Sequence, residues 1–179
     1  MKTILAINGS AGTNTSNERL LRHISGQLAG DFSFGFAPDL KALPHFDPAL
    51  STENTPEKVA YFRKKIEAAD GILICTPEYV FSIPSGLKNL IEWCVATTVF
   101  SGKPVGLITA SASGVKGHKE LQLLMRTLGA KIIPETTLLI SGIKAKVDSN
   151  GELKTPTDAE ALQDFLAAFR DLVTFLPTE

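Results

Sequence analysis

The chain has 179 residues, of which 44% are hydrophobic and 21% charged. That length fits one domain spanning 1–179, large enough to bury a core without a disulfide or metal staple. Eighteen basic residues against nineteen acidic ones leave a net charge of −1, which excludes the general basic field of a nucleic-acid or anionic-membrane binder.

The two cysteines, Cys75 and Cys94, make neither a CxxC pair nor a disulfide framework. Both fall in apolar patterns and read as small buried hydrophobes, which suits a reducing, cytoplasmic setting. The apolar run after Lys2 breaks at Asn8-Gly9, short of the roughly 7–15 residues of a signal-peptide core. No segment approaches the roughly 20 apolar residues of a membrane span.

Ile4-Leu5-Ala6-Ile7 is a short continuous apolar run, the pattern of a strand buried on both faces. A helix follows, with Leu20, Leu21, Ile24 and Leu28 on one stripe. Phe32, Phe34 and Phe36 alternate as a second strand, and 37–54 reads as loop, with prolines at 38, 44 and 48. Thr55 as N-cap and Pro56 at the first helical position open a second helix lined by Val59, Phe62, Ile66 and Ala69. Gly71–Cys75 is the third strand. Pro84 opens a third helix carrying Leu87, Leu90, Ile91, Cys94 and Val95. Val105–Ile108 is the fourth strand, and Leu121, Leu124, Met125 and Leu128 mark a fourth helix closed by Gly129. The fifth strand is broken, Ile132-Ile133 then Leu138–Ile140. After a turn at Asp148–Gly151, the capping box Thr157-Asp158-Ala159-Glu160 starts a last helix through Leu162, Phe165, Leu166, Phe169, Leu172 and Val173.

Strict βα alternation predicts an α/β fold: a three-layer sandwich on a five-stranded parallel sheet of flavodoxin-like order 2-1-3-4-5. Ligands of such sheets bind beyond the carboxyl ends of the strands, so function belongs to the loops after strands one, three and four.

The first loop, Asn8–Asn17, has neither a GxGxxG nor a P-loop pattern. Its glycines, hydroxyls and amides lead into a helix N-terminus, a chemistry suited to a phosphate monoester. Thr15-Ser16-Asn17-Glu18 reads equally as a plain capping box. The loop after strand three, Thr76–Pro84, is stiffened by two prolines and offers Tyr79 and Phe81. It reads either as an apolar wall for a flat ring or as a connection plugging the core or an interface. The loop after strand four, Ala110–His118, is rich in small residues, with Lys116 and His118 as cations for a ligand or as ordinary solvated groups. Ser10 with His45 or His118 would suit a hydrolase, but no G-x-S-x-G elbow exists.

At these loops the sequence resembles the NAD(P)H-dependent FMN reductases, a family that includes chromate, quinone and azo-dye reductases. Gly9, Ser10, Asn17 and Leu20 match its G-S-x-R-x-x-S-x-N-x-x-L, with Thr15 standing for the serine. Pro77, Glu78, Tyr79, Ser82, Pro84, Leu87, Lys88, Asn89, Ile91, Glu92 and Trp93 match P-E-Y-N-x-S-x-P and L-K-N-x-I-[DE]-W. Two positions depart: Gly12 replaces the family arginine and Val80 the asparagine after the tyrosine.

The resemblance implies an FMN-binding domain in which Ser10, Thr15, Ser16 and Asn17 bind the phosphate. Pro77, Glu78, Tyr79 and Ser82 would hold the isoalloxazine, and Ser111, Ser113, Gly114 and Gly117 would border its other edge. It implies ping-pong hydride transfer from NADH or NADPH through FMN to flavin, quinone or similar small-molecule acceptors, with no catalytic side chain and no metal. An electron carrier or a non-catalytic flavin sensor is the alternative reading. The missing arginine leaves NADH against NADPH open. The segment Pro84–Val99, with Trp93, is similar to the family's dimer-forming helix, so a homodimer or homotetramer is expected, with simple packing on the sheet as the alternative.

Overall fold

Along each central strand the side chains alternate between two separate cores, as a period of two requires of a sheet covered on both faces. Leu5 and Ile7, Ile72 and Ile74, and Val105 and Leu107 face one core; Ile4 and Ala6, Leu73 and Cys75, and Ile108 and Ala110 face the other. The computed structural model describes residues 1–175.

The strands are β1 (Thr3–Asn8), β2 (Ser33–Phe36), β3 (Gly71–Thr76), β4 (Val105–Ser111) and β5 (Thr137–Ser141), all parallel, in the order β2-β1-β3-β4-β5. The helices are α1 (Ser16–Gln27), α2 (Glu57–Ala68), α3 (Ser85–Cys94), α4 (Val115–Thr127), the single turn α5 (Ile143–Lys146) and α6 (Pro156–Phe175). Val59, Phe62 and Ile66 of α2, Leu87, Leu90 and Trp93 of α3, and Leu121 and Met125 of α4 fill the first core. Leu20, Leu21 and Ile24 of α1, with Leu162, Phe165 and Phe169 of α6, fill the second. Each such side chain contributes roughly 1.5–3 kcal/mol by leaving water. A Cβ on Gly106 would come within 2.9 Å of Phe165, so glycine there lets α6 lie close on the sheet.

The flavodoxin-like order is as expected, and several boundaries move. Pro56, not Thr55, is the N-cap of α2, and the Thr55 hydroxyl turns back to the Ser51 carbonyl. The last helix starts earlier, at Pro156: the Thr155 carbonyl accepts from Ala159 N–H and its hydroxyl donates to the Asp158 carboxylate, which leaves Thr157 inside the helix. Ile132-Ile133 lies outside β5, because Pro134–Thr136 forms a 3-10 turn between them. The third helix stops at Cys94 rather than running on toward Val99. The 37–54 loop holds two short 3-10 turns, Leu40–Ala42 and Pro48–Leu50, capped by the carboxylates of Asp39 and Asp47.

Trp93 is fully buried rather than offered to a second chain. Its indole N–H donates to the Pro44 carbonyl at 2.8 Å, and its ring meets Phe46 edge-on. Asn89 fastens the same loop, accepting from Phe46 N–H and donating to the Pro44 carbonyl. The conspicuous L-K-N-x-I-E-W stretch therefore anchors the long 37–54 loop. Among the described residues no helix is long and apolar enough to cross a membrane.

Candidate functional site

The order reverses between β1 and β3, since α1 carries the chain from β1 to β2 on one side and β3 pairs on the other. At that point the first loop lies directly on the third strand: Gly9 N–H donates to the Cys75 carbonyl at 2.8 Å. A Cβ on Gly9 would run into the Thr76 side chain, so glycine is what permits the approach.

From Gly9 the loop rises into solvent through Ala11–Asn14 and re-enters at Thr15. Asn8 Oδ1 accepts from Ser10 N–H, which fixes the start of the turn. Asn14 takes the left-handed conformation at φ +51, and its N–H donates to Glu18 Oε2 at 2.8 Å. Thr15 caps α1, its hydroxyl accepting from Glu18 N–H at 3.3 Å. Only half of the anticipated box forms, because the Glu18 carboxylate reaches Asn14 instead of the cap residue. Arg19 stitches the loop from below, donating to the Asn14 carbonyl at 2.7 Å and the Asp148 carbonyl at 3.3 Å. The loop itself carries neutral donors, with this one guanidinium at its flank. Gly12 is exposed and outside the positive-φ region; a Cβ there would meet only the methyl of Thr15, at 2.9 Å.

Asn17 is buried. Its amide donates to the Ala110 carbonyl at 3.1 Å, and its Oδ1 accepts from the Cys75 thiol at 3.2 Å. This side chain ties the first turn of α1 to β3 and β4. Burial pushes the Cys75 thiol well above its ordinary range, so it stays protonated and donates. Cys94, also buried, is pushed up to about 12.

The third-strand loop is locked to the fourth by Glu78. Its carboxylate accepts from the N–H groups of Gly114 at 3.2 Å, Lys116 at 2.8 Å and Gly117 at 2.8 Å. Those are cap and first-turn donors of α4, whose cap residue Gly114, at φ +89, has no side chain to satisfy them. Glu78 therefore caps α4 from another loop. The Ser111 hydroxyl completes the joint, accepting from Glu78 N–H at 3.1 Å and donating to the Glu78 carbonyl at 3.3 Å. Gly117 lies beneath this joint, where a Cβ would crowd Glu78 and the Ser82 carbonyl at 3.3 Å. Pro77 is buried just before it, and its carbonyl accepts from the Thr76 hydroxyl.

On the far side, Ser82 donates to Glu120 Oε2 at 2.7 Å, Ile83 N–H reaches the same oxygen at 3.0 Å, and Lys88 pairs with Oε1 at 3.4 Å. Burial opposes ionisation of Glu120, but these donors together hold its carboxyl below the usual range. Glu120 carries no motif, and its partners are 32 to 38 positions away, so the sequence offers no local signal for it. Tyr79 is half exposed, with its hydroxyl 3.4 Å from Ser10 Oγ, the contact that joins the first and third loops. Ser113 is exposed, and its carbonyl accepts from Ser141 Oγ at 2.7 Å.

The residues named from sequence thus gather at one end of the sheet. His118 does not act as a cation there: it is buried, its Nδ1 lies 2.9 Å from Thr109 Oγ1, and burial lowers its pKa. His45 is exposed in the 37–54 loop, and neither histidine bonds Ser10, so the described residues hold no Ser–His pair. They also hold no cluster of metal-ligating side chains. A separate cavity of about 410 Å³ opens between Pro38, Leu43, Tyr61 and Phe62, sharing no lining residue with the three loops.

Residues 2–145 match the family described as NADPH-dependent FMN reductase. The chain belongs to this family. Its cofactor is FMN, its electron donor is NAD(P)H, and it is an oxidoreductase. The FMN reductase is 28% identical over 169 residues to a 2-hydroxy-1,4-benzoquinone reductase from Burkholderia sp, covering 91% of each chain. It is 29% identical over 178 residues to a quinone reductase of Escherichia coli K12, covering 95% of this chain and 94% of the other. Among solved structures, the flavoenzyme NAD(P)H:(acceptor) oxidoreductase FerB from Paracoccus denitrificans superposes with a TM-score of 0.80 at 24% identity, covering 98% of this chain and 99% of that one.

The site's chemistry fits FMN. A phosphate monoester suits hydroxyls and free N–H groups at the start of a helix. The loop carrying the buried Pro77 and the half-exposed Tyr79 stands beside that helix start through the Tyr79–Ser10 contact.

Proposed function

We propose that this protein passes reducing equivalents from NADH or NADPH through FMN to flavin, quinone or similar small acceptors, by a ping-pong scheme. The observation that carries this reading is the cross-linking of three loops at one end of the sheet: Ser10 to Tyr79, Glu78 to Gly114–Gly117, and Ser111 to Glu78.

When bound, FMN supplies the hydride chemistry, and the chain supplies binding and orientation. Ser10, Thr15 and Ser16 would hold the phosphate with their hydroxyls and with the free N–H groups of the first turn of α1. Asn17 would serve the same phosphate indirectly, keeping that turn at the right depth with its buried amide. Pro77, Glu78, Tyr79 and Ser82 would set the wall beside the ring, and Ser111, Ser113, Gly114 and Gly117 its other edge. No side chain is assigned as acid or base.

The assembly in this reading is a homodimer or homotetramer. With Trp93 buried, α3 offers a second copy the exposed Val95 just past its end. A cytoplasmic setting is inferred from two free, buried thiols.

Anaerobic stopped-flow mixing of the FMN-loaded protein with NADH and then NADPH tests the reading. Bleaching of the flavin by either nucleotide, followed by reoxidation with a quinone, is the expected result. Absence of bleaching by both would turn the assignment to an electron carrier or sensor.

A further inference from the structure

Between Tyr79 and Ser82 the chain reverses over two residues. Tyr79 N–H donates to the Ser82 carbonyl at 2.9 Å and Ser82 N–H to the Tyr79 carbonyl at 3.1 Å. The two central residues, Val80 and Phe81, both have positive φ, +51 and +60. Such a turn favours Asn-Gly, because left-handed backbone crowds a Cβ. A β-branched residue there is an outlier, and a bulky aromatic beside it is a second.

Neither side chain is compensated by burial. Val80 is 93% exposed and Phe81 77% exposed. The strained turn persists because both ends are clamped, Glu78 by the N-terminus of α4 and Ser82 by Glu120. Strain held in place this firmly is a feature of ligand-clamping segments. The turn also stands beside the first loop, through the Tyr79–Ser10 contact.

We propose that Val80 and Phe81 form a rigid apolar lip at the mouth of the flavin cleft. The lip makes the enzyme prefer acceptors with an apolar aromatic body over small hydrophilic anions. This rests on the reductase reading above and adds the residues that select among its acceptors. Asparagine and glycine would satisfy the turn better and leave the mouth polar, so folding alone does not explain the residues present.

The test compares wild type with the double variant Val80→Asn/Phe81→Gly, both FMN-loaded, with 2-methyl-1,4-naphthoquinone and ferricyanide as acceptors. The variant should melt at a higher temperature, since its turn is relaxed. Its kcat/KM ratio for the quinone over ferricyanide should fall about tenfold, mainly through KM, the scale on which one or two apolar contacts discriminate. Equilibrium dialysis of the quinone without any nicotinamide, where nothing turns over, should show its Kd rising by a similar factor. An unchanged ratio and Kd would overturn the proposal. A variant whose quinone preference falls only because the assembly dissociates in sedimentation would assign the turn to a subunit contact and overturn it equally. If NADH and NADPH both fail to bleach the wild-type flavin, the reductase reading fails, while dialysis still decides whether the lip binds the quinone.

Discussion

Glu78 shows how one side chain can join two loops that the sequence keeps 36 to 39 residues apart. Its carboxylate supplies the cap that Gly114 lacks, and charge-assisted bonds of this kind exceed neutral ones. Glu78→Ala should destabilise the apoprotein by about 2 kcal/mol, lowering Tm by roughly 4–8 °C for a domain of this size. Titration of the same variant should show weaker FMN binding, because the ring wall loses its anchor. An unchanged melting curve would mean that water caps α4 as well as the carboxylate does. Thr15 has the opposite profile. Thr15→Asp retains an N-cap acceptor, so far-UV circular dichroism and apoprotein Tm should hold. The added negative charge would face a phosphate, so FMN affinity should fall at least tenfold, about 1.4 kcal/mol. Normal FMN binding by Thr15→Asp would place the phosphate elsewhere. His118 governs a pH effect. Burial lowers its pKa in the folded state, so below the unfolded value of about 6.5 the unfolded chain takes up a proton that the native chain resists. Stability is therefore full above that pH and declines as pH falls toward the depressed folded value. His118→Asn should flatten the dependence of denaturation midpoint on pH between about 6.5 and 5. A wild-type midpoint that is already flat there would show that His118 protonates freely in the fold.

At the scale of elements, α4 is held to the third-strand loop by two carboxylates, Glu78 at its start and Glu120 one turn further along. Glu120 has a lowered pKa, so its contribution is present above the unfolded carboxyl value of about 4.3 and is lost as pH falls through the folded value. The group is partly exposed, so screening limits its worth to about 1 kcal/mol. Glu120→Gln should cost about that much at neutral pH, and its stability deficit should shrink as pH is lowered below about 4, read by urea denaturation at each pH. A deficit independent of pH would mean that packing, not charge, is what the glutamate supplies. The strands and helices were legible because each signal is local. Ile4–Ile7 and Gly71–Cys75 are apolar runs, and the stripes of α1, α2 and α4 repeat at helical spacing. The meeting of the three loops at one end of the sheet was legible as well, since the strand order places them there. What sequence could not display is which side chain answers which. Asn17, Glu78 and Ser111 read as ligand groups, yet their bonds run to Ala110, α4 and Glu78. Those partners lie 33 to 93 positions away, a distance at which spacing carries no information. The helix carrying Trp93 reads as either a dimer segment or a helix packed on the sheet for the same reason: Pro44, which takes the indole N–H, is 49 positions upstream. The last helix takes in Thr157 because it begins at Pro156, whose fixed φ suits the first helical position.

On the scale of the whole molecule, every loop that carries the site lies at one end of one sheet. Helices cover both faces, and their buried residues close the two cores completely over β1, β3 and β4. The loops after β1, β3 and β4 are fastened to one another by Tyr79, Glu78 and Ser111. On the reading proposed above, donor and acceptor both use the exposed part of an FMN ring held beside these loops. Two flat molecules would not stack on one face of such a ring at once, so on that reading the donor product leaves before the acceptor enters. Steady-state rates measured across a matrix of NADH and 2-methyl-1,4-naphthoquinone concentrations should therefore give parallel double-reciprocal lines. The oxidised nucleotide, as a product inhibitor, should compete with the quinone rather than with NADH, because both bind the same reduced form of the enzyme. Intersecting lines would require both molecules to be bound together, and hence a separate acceptor site. That result would move the acceptor away from the Tyr79–Ser82 turn.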